Sequence, residues 1–164
     1  MDALEAIKTR RSVRKYKPDP VSKEVLKTLV DAGRLAPTAR NEQPWEFVVV
    51  TDAAKRQRLV DLATHGKFIA EAPACIVVLC KPSDYYLEDG SAATTQIMLA
   101  ATALGLGTCW VAGDKKDYAP AVVKAVGAPA KYRLVSLIAV GYAAETPAPG
   151  KRGVNDVLHW ETFG

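Results

Sequence analysis

Three runs of apolar, β-prone residues constrain this chain more than anything else in it: WEFVVV at 45–50, ACIVVLC at 74–80 and LVSLIAVGY at 134–142. A strand with one wet face alternates apolar and polar residues. These runs barely alternate, so they predict strands covered on both faces. The covering helices can be read between them. Residues 91–104 (SAATTQIMLAATAL) are apolar almost all round, which predicts a central helix, stopped by Gly105 and Gly107. Ser22 is placed to cap a helix whose inward set is Val25, Leu26, Leu29, Val30 and Ala36, with Pro37 ending it. Asp52 caps another that includes Leu59, Val60 and Leu62. A helix over 120–126, an extended piece at 108–112 and a short helix over 2–9, with Leu4 and Ile7 inward, complete the set. Helices and strands alternating around three or four buried strands make an α/β or α+β sandwich. No repeat or linker divides the chain, so residues 1–164 read as a single domain.

Charge is concentrated. The chain carries 22 Lys+Arg against 18 Asp+Glu, and six of the cations, with no acid among them, fall between Lys8 and Lys17. Setting those six aside leaves 16 cations against 18 acids, so the basicity is one short patch on an otherwise slightly acidic protein. A nucleic-acid binder spreads its charge over a face or a helix, whereas this patch is sized for a small anion. Cys75, Cys80 and Cys109 form no CxxC pair and leave one over if two bridge, which argues for a reducing compartment. Charges at Asp2, Glu5, Lys8 and Arg10 interrupt any apolar signal core, and no run reaches eighteen apolar residues. The expectation is a cytoplasmic protein that binds neither membrane nor nucleic acid. The tail after Ala143 ends in Val157, Leu158, Trp160 and Phe163, and so should dock on its own domain or on a partner subunit.

The usual catalytic signatures are missing. Two histidines, His65 and His159, have no further ligand at zinc spacing. Neither G-x-S-x-G nor a P-loop occurs, and Gly105-Leu106-Gly107 lacks the third glycine of the dinucleotide fingerprint. The cysteines lie in apolar runs, which raise a thiol's pKa. If the chain is an enzyme, a borrowed cofactor is the economical source of its chemistry.

Two segments could hold one. In Arg10-Arg11-Ser12-Val13-Arg14 an extended backbone puts Arg10, Ser12 and Arg14 on one face, two guanidinium forks flanking a hydroxyl, which suits phosphate. A solvated basic turn would also account for the charge. The segment Ala36-Pro37-Thr38-Ala39-Arg40-Asn41-Glu42-Gln43-Pro44-Trp45 links a helix to a strand. Its prolines stiffen the loop, while Thr38, Asn41 and Gln43 offer donors and acceptors for a polar heteroaromatic edge. Trp45 itself reads as a core anchor.

RRSVRKY, APTARNEQPWEF and LAATALGLGTCWVAG, in that order and spanning residues 10–113, together resemble the nitroreductase family of FMN-dependent oxidoreductases. Glu88-Asp89-Gly90-Ser91-Ala92 at the start of the central helix fits as well. The resemblance implies an α+β sandwich with a mostly antiparallel sheet flanked by helices, an intertwined homodimer, and FMN at the subunit interface. It implies FMN held by Arg10, Arg11, Ser12 and Arg14 of one subunit. Arg10 and Ser12 would lie near the phosphate and ribityl chain, with Arg14 at the pyrimidine edge. Pro37, Thr38, Ala39 and Asn41 would approach from the partner. Trp110, Val111, Ala112 and Gly113 would bring backbone to the flavin near N5, with Gly113 allowing close approach for want of a Cβ. Lys151 and Arg152 would be the C-terminal cations at the phosphate. His65 reads as a surface-loop histidine. The implied reaction is ping-pong: NAD(P)H passes hydride to flavin N5, and a nitroaromatic, quinone or free flavin then accepts it. A flavin-binding or sensing module without turnover is the alternative, and a polyanion-binding protein using the 8–17 patch is a third.

Overall fold

The computed structural model describes residues 1–163. Four strands, β1 (Trp45–Val50), β2 (Ala74–Cys80), β3 (Gly107–Ala112) and β4 (Arg133–Gly141), form one sheet in the order β1-β2-β4-β3. Every neighbouring pair is antiparallel. Five α-helices are described: α1 (Ala3–Thr9), α2 (Lys23–Arg34), α3 (Ala53–Leu62), α4 (Tyr86–Ala103) and α5 (Ala119–Ala125). The architecture is the α+β sandwich, with two cores on the two faces of the sheet.

The uninterrupted apolar runs follow from those two cores. Along β2, Ala74, Ile76, Val78 and Cys80 face a cluster built with Leu26, Leu29, Ile97 and Met98 of α2 and α4. The intervening Cys75, Val77 and Leu79 face a second cluster with Leu59 of α3 and Val122 of α5. Successive side chains on a strand point oppositely, so a central strand with two covered faces must be apolar at every position. After the exposed Arg133 that opens it, β4 obeys the same rule except at Ser136, whose hydroxyl lies 2.8 Å from that of Thr94 on α4. Thr94 Oγ1 also donates to the Gly90 carbonyl at 2.8 Å. Between Val78 and Leu79 the β2–β4 register slips by one residue, and the extra residue, Val135, gives its carbonyl to the Gly113 N–H at 3.1 Å.

Caps fall where the sequence places them. Ser22 Oγ accepts from Val25 N and Asp52 Oδ1 from Lys55 N. Gly105, with φ of +77°, turns the chain out of α4, while Gly107 is already the first residue of β3. Several expectations need correcting. β1 is an edge strand, so Val49 is exposed and Phe47 and Val48 are only half covered. α4 begins five residues before Ser91, because its first turn uses the acidic Glu88 and Asp89 near its N-terminus. Leu4 and Ile7 do not point inward: they are 68% and 56% exposed, and Ala6 is the only buried residue of α1. The tail does not dock on its own chain either, since Trp160 is 78% and Phe163 91% exposed.

The Thr94–Ser136 pair gives a thermodynamic test. Thr94→Val strands the buried Ser136 hydroxyl and should cost about 1–3 kcal/mol in urea unfolding. Adding Ser136→Ala removes the stranded group, so the double variant should be more stable than the sum of the single losses allows.

Candidate functional site

The basic segment is laid down as an extended strip beside the sheet. Val13 N donates to the Thr108 carbonyl at 2.9 Å, and Ser12 forms a parallel bridge with Thr108 at the start of β3. Further on, Lys17 N donates to Tyr142 O and Ala144 N to Lys15 O, both at 2.9 Å. Glu145 Oε1 accepts from the backbone N–H groups of Arg14 and Lys15, at 2.6 and 3.2 Å. Val13 is buried in this pairing and anchors the strip, so the arginines on either side of it are held outward.

Two clefts open along the strip. In the first, of about 460 Å³, Arg10, Arg11, Ser12, Arg14 and Lys151 meet Pro147 and Pro149. Four cationic side chains and a hydroxyl surround this space with no carboxylate in its lining, a donor set suited to a phosphate. Arg11 Nη1 is braced on the carbonyls of Lys8 and Arg10, each at 2.8 Å. Arg152 does not line the cleft.

The second cleft, of about 200 Å³, runs along β3. Cys109, Trp110, Val111 and Ala112 form its floor, with Arg14, His65, Phe68, Lys116 and Tyr118 around them. Arg14 belongs to both clefts, and its guanidinium carbon stands 5.9 Å from the centre of the Phe68 ring. The Tyr118 hydroxyl donates to the Ala112 carbonyl. Burial pushes the Cys109 thiol up, with Arg14 pulling the other way, and burial takes Cys75 and Cys80 to about 12. None of the three is a ready thiolate.

Gly113 is also required by packing. It does not line the cleft; a Cβ there would lie 2.4 Å from Leu134 Cγ and 3.0 Å from the Val135 carbonyl carbon. The missing side chain lets the end of β3 turn close over β4. His65, read from sequence as a surface-loop residue, is exposed but stands at the rim beside Arg14. Lys116, Phe68 and Tyr118 were not singled out by sequence. The turn at Asp114 and the 63–69 turn bring them in, and no local pattern marks such a juxtaposition.

The proline-bounded loop is built elsewhere. Asp89, 4% exposed in the first turn of α4, accepts from Thr38 Oγ1 at 2.7 Å and from Ala39 N at 3.1 Å. Thr38 Oγ1 in turn accepts from Gln43 N at 3.1 Å. Arg40, Asn41 and Gln43 all have positive φ, of 53°, 58° and 48°. Left-handed backbone costs a non-glycine residue on the order of 1–3 kcal/mol where nothing compensates, and such strain gathers at binding sites. Tyr86, also in that first turn, donates to Asp114 just past the end of β3, at 2.7 Å. The loop with Pro37, Thr38, Ala39 and Asn41 therefore sits at the far end of β3 from Ser12 and Val13. One chain does not bring the two segments into one cleft. Asp89→Ala should free the loop: amide exchange over 38–43 should quicken at least tenfold while the β2 and β4 amides keep their protection.

The sequence profile of the Nitroreductase family matches residues 7–81 and 62–142. A "Putative NADH dehydrogenase/NAD(P)H nitroreductase" of Methanothermobacter thermautotrophicus is 34% identical over 169 residues, covering 99% of this chain and 88% of that protein. An FMN-dependent nitroreductase from Clostridium difficile superposes with a TM-score of 0.89 at 33% identity, covering 98% of this chain and 99% of the other. A "putative nitroreductase in complex with FMN" from Desulfovibrio desulfuricans gives 0.88 at 29% identity, covering 100% and 99%. The profile takes in the arginine strip, the proline-bounded loop and the β3 edge together, and the fold that arranges them is the same: the chain belongs to the nitroreductase family.

Proposed function

We propose that this protein is an FMN-dependent NAD(P)H oxidoreductase, acting as a homodimer with FMN at each subunit interface. The observation that carries the reading is the cationic cleft of Arg10, Arg11, Ser12, Arg14 and Lys151, joined through Arg14 to the cleft along β3. The first fits a phosphate. The second offers an apolar and aromatic floor with donors at its rim, which fits a flat heteroaromatic ring with polar edges. The similarity to solved FMN-dependent nitroreductases supports the same assignment.

Within this reading Arg10, Arg11 and Ser12 bind the phosphate and ribityl end, joined by Lys151 and by Arg152 next to it. Arg14 holds the pyrimidine edge, where a fixed positive charge favours the reduced cofactor because negative charge develops there on reduction. Trp110, Val111, Ala112 and Gly113 carry the backbone that faces the ring, and Pro37, Thr38, Ala39 and Asn41 come from the partner subunit. The two-chain site answers the geometry, since loop and strip lie at opposite ends of β3 in one chain. It also gives cover to Leu4, Ile7, Val157, Leu158, Trp160 and Phe163, which a lone chain leaves exposed. An obligate interface of this kind buries about 2,000 Å² or more. When bound, FMN supplies the hydride chemistry, from NAD(P)H to an acceptor such as a nitroaromatic, a quinone or free flavin. The protein positions and polarises; it needs no nucleophile of its own.

Purified protein should be yellow, with one FMN per chain, and should sediment as a dimer at micromolar concentration. A colourless preparation that takes up no added FMN, or a monomer that binds it tightly, would sink the assignment, and bound FMN without NAD(P)H oxidation would favour the non-catalytic module. Separately, Arg14→Ala should lower the flavin midpoint potential by about 30 mV or more, a tenfold change in a two-electron equilibrium; an unchanged potential removes the role given to Arg14.

A further inference from the structure

Asp89 is a buried carboxylate whose side-chain hydrogen bonds both come from one surface loop. It is 4% exposed in the first turn of α4, and it accepts from Thr38 Oγ1 at 2.7 Å and from Ala39 N at 3.1 Å. Among the described residues no cation lies within ion-pair distance of it, so these two donors alone compensate its burial. Thr38 closes the loop with a single hydroxyl, which donates to Asp89 and accepts from Gln43 N at 3.1 Å. Asn41 N donates to Thr38 O at 3.3 Å and Glu42 N to Ala39 O at 3.0 Å. Arg40, Asn41 and Gln43 are left-handed within that span, a backbone that persists in such residues only where the surroundings over-determine it. The helical turn carrying Asp89 is itself tied down, since Tyr86 donates to Asp114 at 2.7 Å. Pro37, Arg40 and Asn41 are exposed, so this brace holds a face turned away from its own chain. Asp89 lines neither cleft.

We infer that Asp89 is a positioning residue acting across the dimer: it holds the 37–43 loop of one subunit in the form that meets the FMN site of the other. This rests on the FMN reading above and on its two-chain site. In one chain the loop lies at the far end of β3 from the arginine strip, so its own cleft is out of its reach. A loop already locked in its bound form loses little further freedom when the cofactor arrives. Unlocked, it occupies that form for a fraction of the time, and affinity falls by that fraction. A loop left competent about one tenth of the time binds FMN about ten times more weakly. Asp89 touches no reacting atom; it sets how much of the loop is ready.

Mixed dimers of two differently tagged chains test this, with FMN stoichiometry and dissociation constant read by fluorescence quenching. Arg10→Ala together with Arg11→Ala disables the phosphate cleft of a chain. In the first dimer one chain carries Asp89→Ala and the other the two arginine changes. Its intact strip meets an intact loop, and one FMN should bind with wild-type affinity. In the second dimer one chain carries all three changes and its partner none. Its intact strip meets an unlocked loop, and that FMN should bind about tenfold more weakly, or worse. Thr38→Val cuts the same link from the loop side and should give the same pattern, which covers an Asp89→Ala chain that does not fold. The reverse pattern would place the effect within one chain and overturn the inference. So would equal affinity in the two dimers, whether at the wild-type level or below it. Those results leave FMN binding itself standing, whereas wild-type protein that takes up no FMN overturns both readings.

Discussion

The pairing of residues 12–17 with the rim of the sheet is the constraint from which the site follows. Six cations within ten residues repel one another, and in isolation such a strip would spread into solvent. Here backbone hydrogen bonds to Thr108 and Tyr142, the Ala144 N–H, and the Glu145 carboxylate on two successive amides hold it extended. Those contacts engage the backbone and leave the guanidinium heads of Arg10 and Arg14 free of ion pairs among the described residues. The charge is thereby concentrated along two adjoining clefts, which is what an anionic ligand with a flat ring demands.

The sheet supplies the rigid frame for this arrangement. β4 is central, covered on both faces and paired on both edges, and β3 hangs from it as the outer strand whose free side forms the floor of the second cleft. The close turn at Gly113, possible only without a Cβ against Leu134, brings Lys116 and Tyr118 back over that floor. Asp89 does comparable work at the opposite end, fixing a loop with three left-handed residues by two hydrogen bonds that its buried carboxylate accepts. Each half of the proposed site is thus held stiffly by its own chain, and only their combination calls for a second copy.

Much of this was legible in the residues. β2 and β4 announce themselves because a strand with two dry faces has no polar positions to spare, and Ser22 and Asp52 because a capping side chain acts within three residues of itself. The concentration of charge on the 10–14 strip was legible for the same reason: charge density is a local property. The errors were also physical. Leu4 and Ile7 are apolar and three apart, as an inward stripe requires, yet in one chain they face out, since periodicity says that a face is apolar and not what covers it. Val49 looked buried because an apolar run does not reveal whether its strand ends up at the centre or the edge.

The sequence by itself determined the local terms: which segments are strands and helices, where they start, and that a compact cluster of arginines and a stiff polar loop exist. Only the tertiary structure decided that the two lie at opposite ends of β3, that Gly113 is required by packing on Leu134, and that His65 and Lys116, fifty-one positions apart, share a rim with Arg14. Propensity, capping and charge density act over a few residues and are written in the chain. Which side chains converge is set by strand order and by turns that join distant segments, and no short-range pattern encodes that.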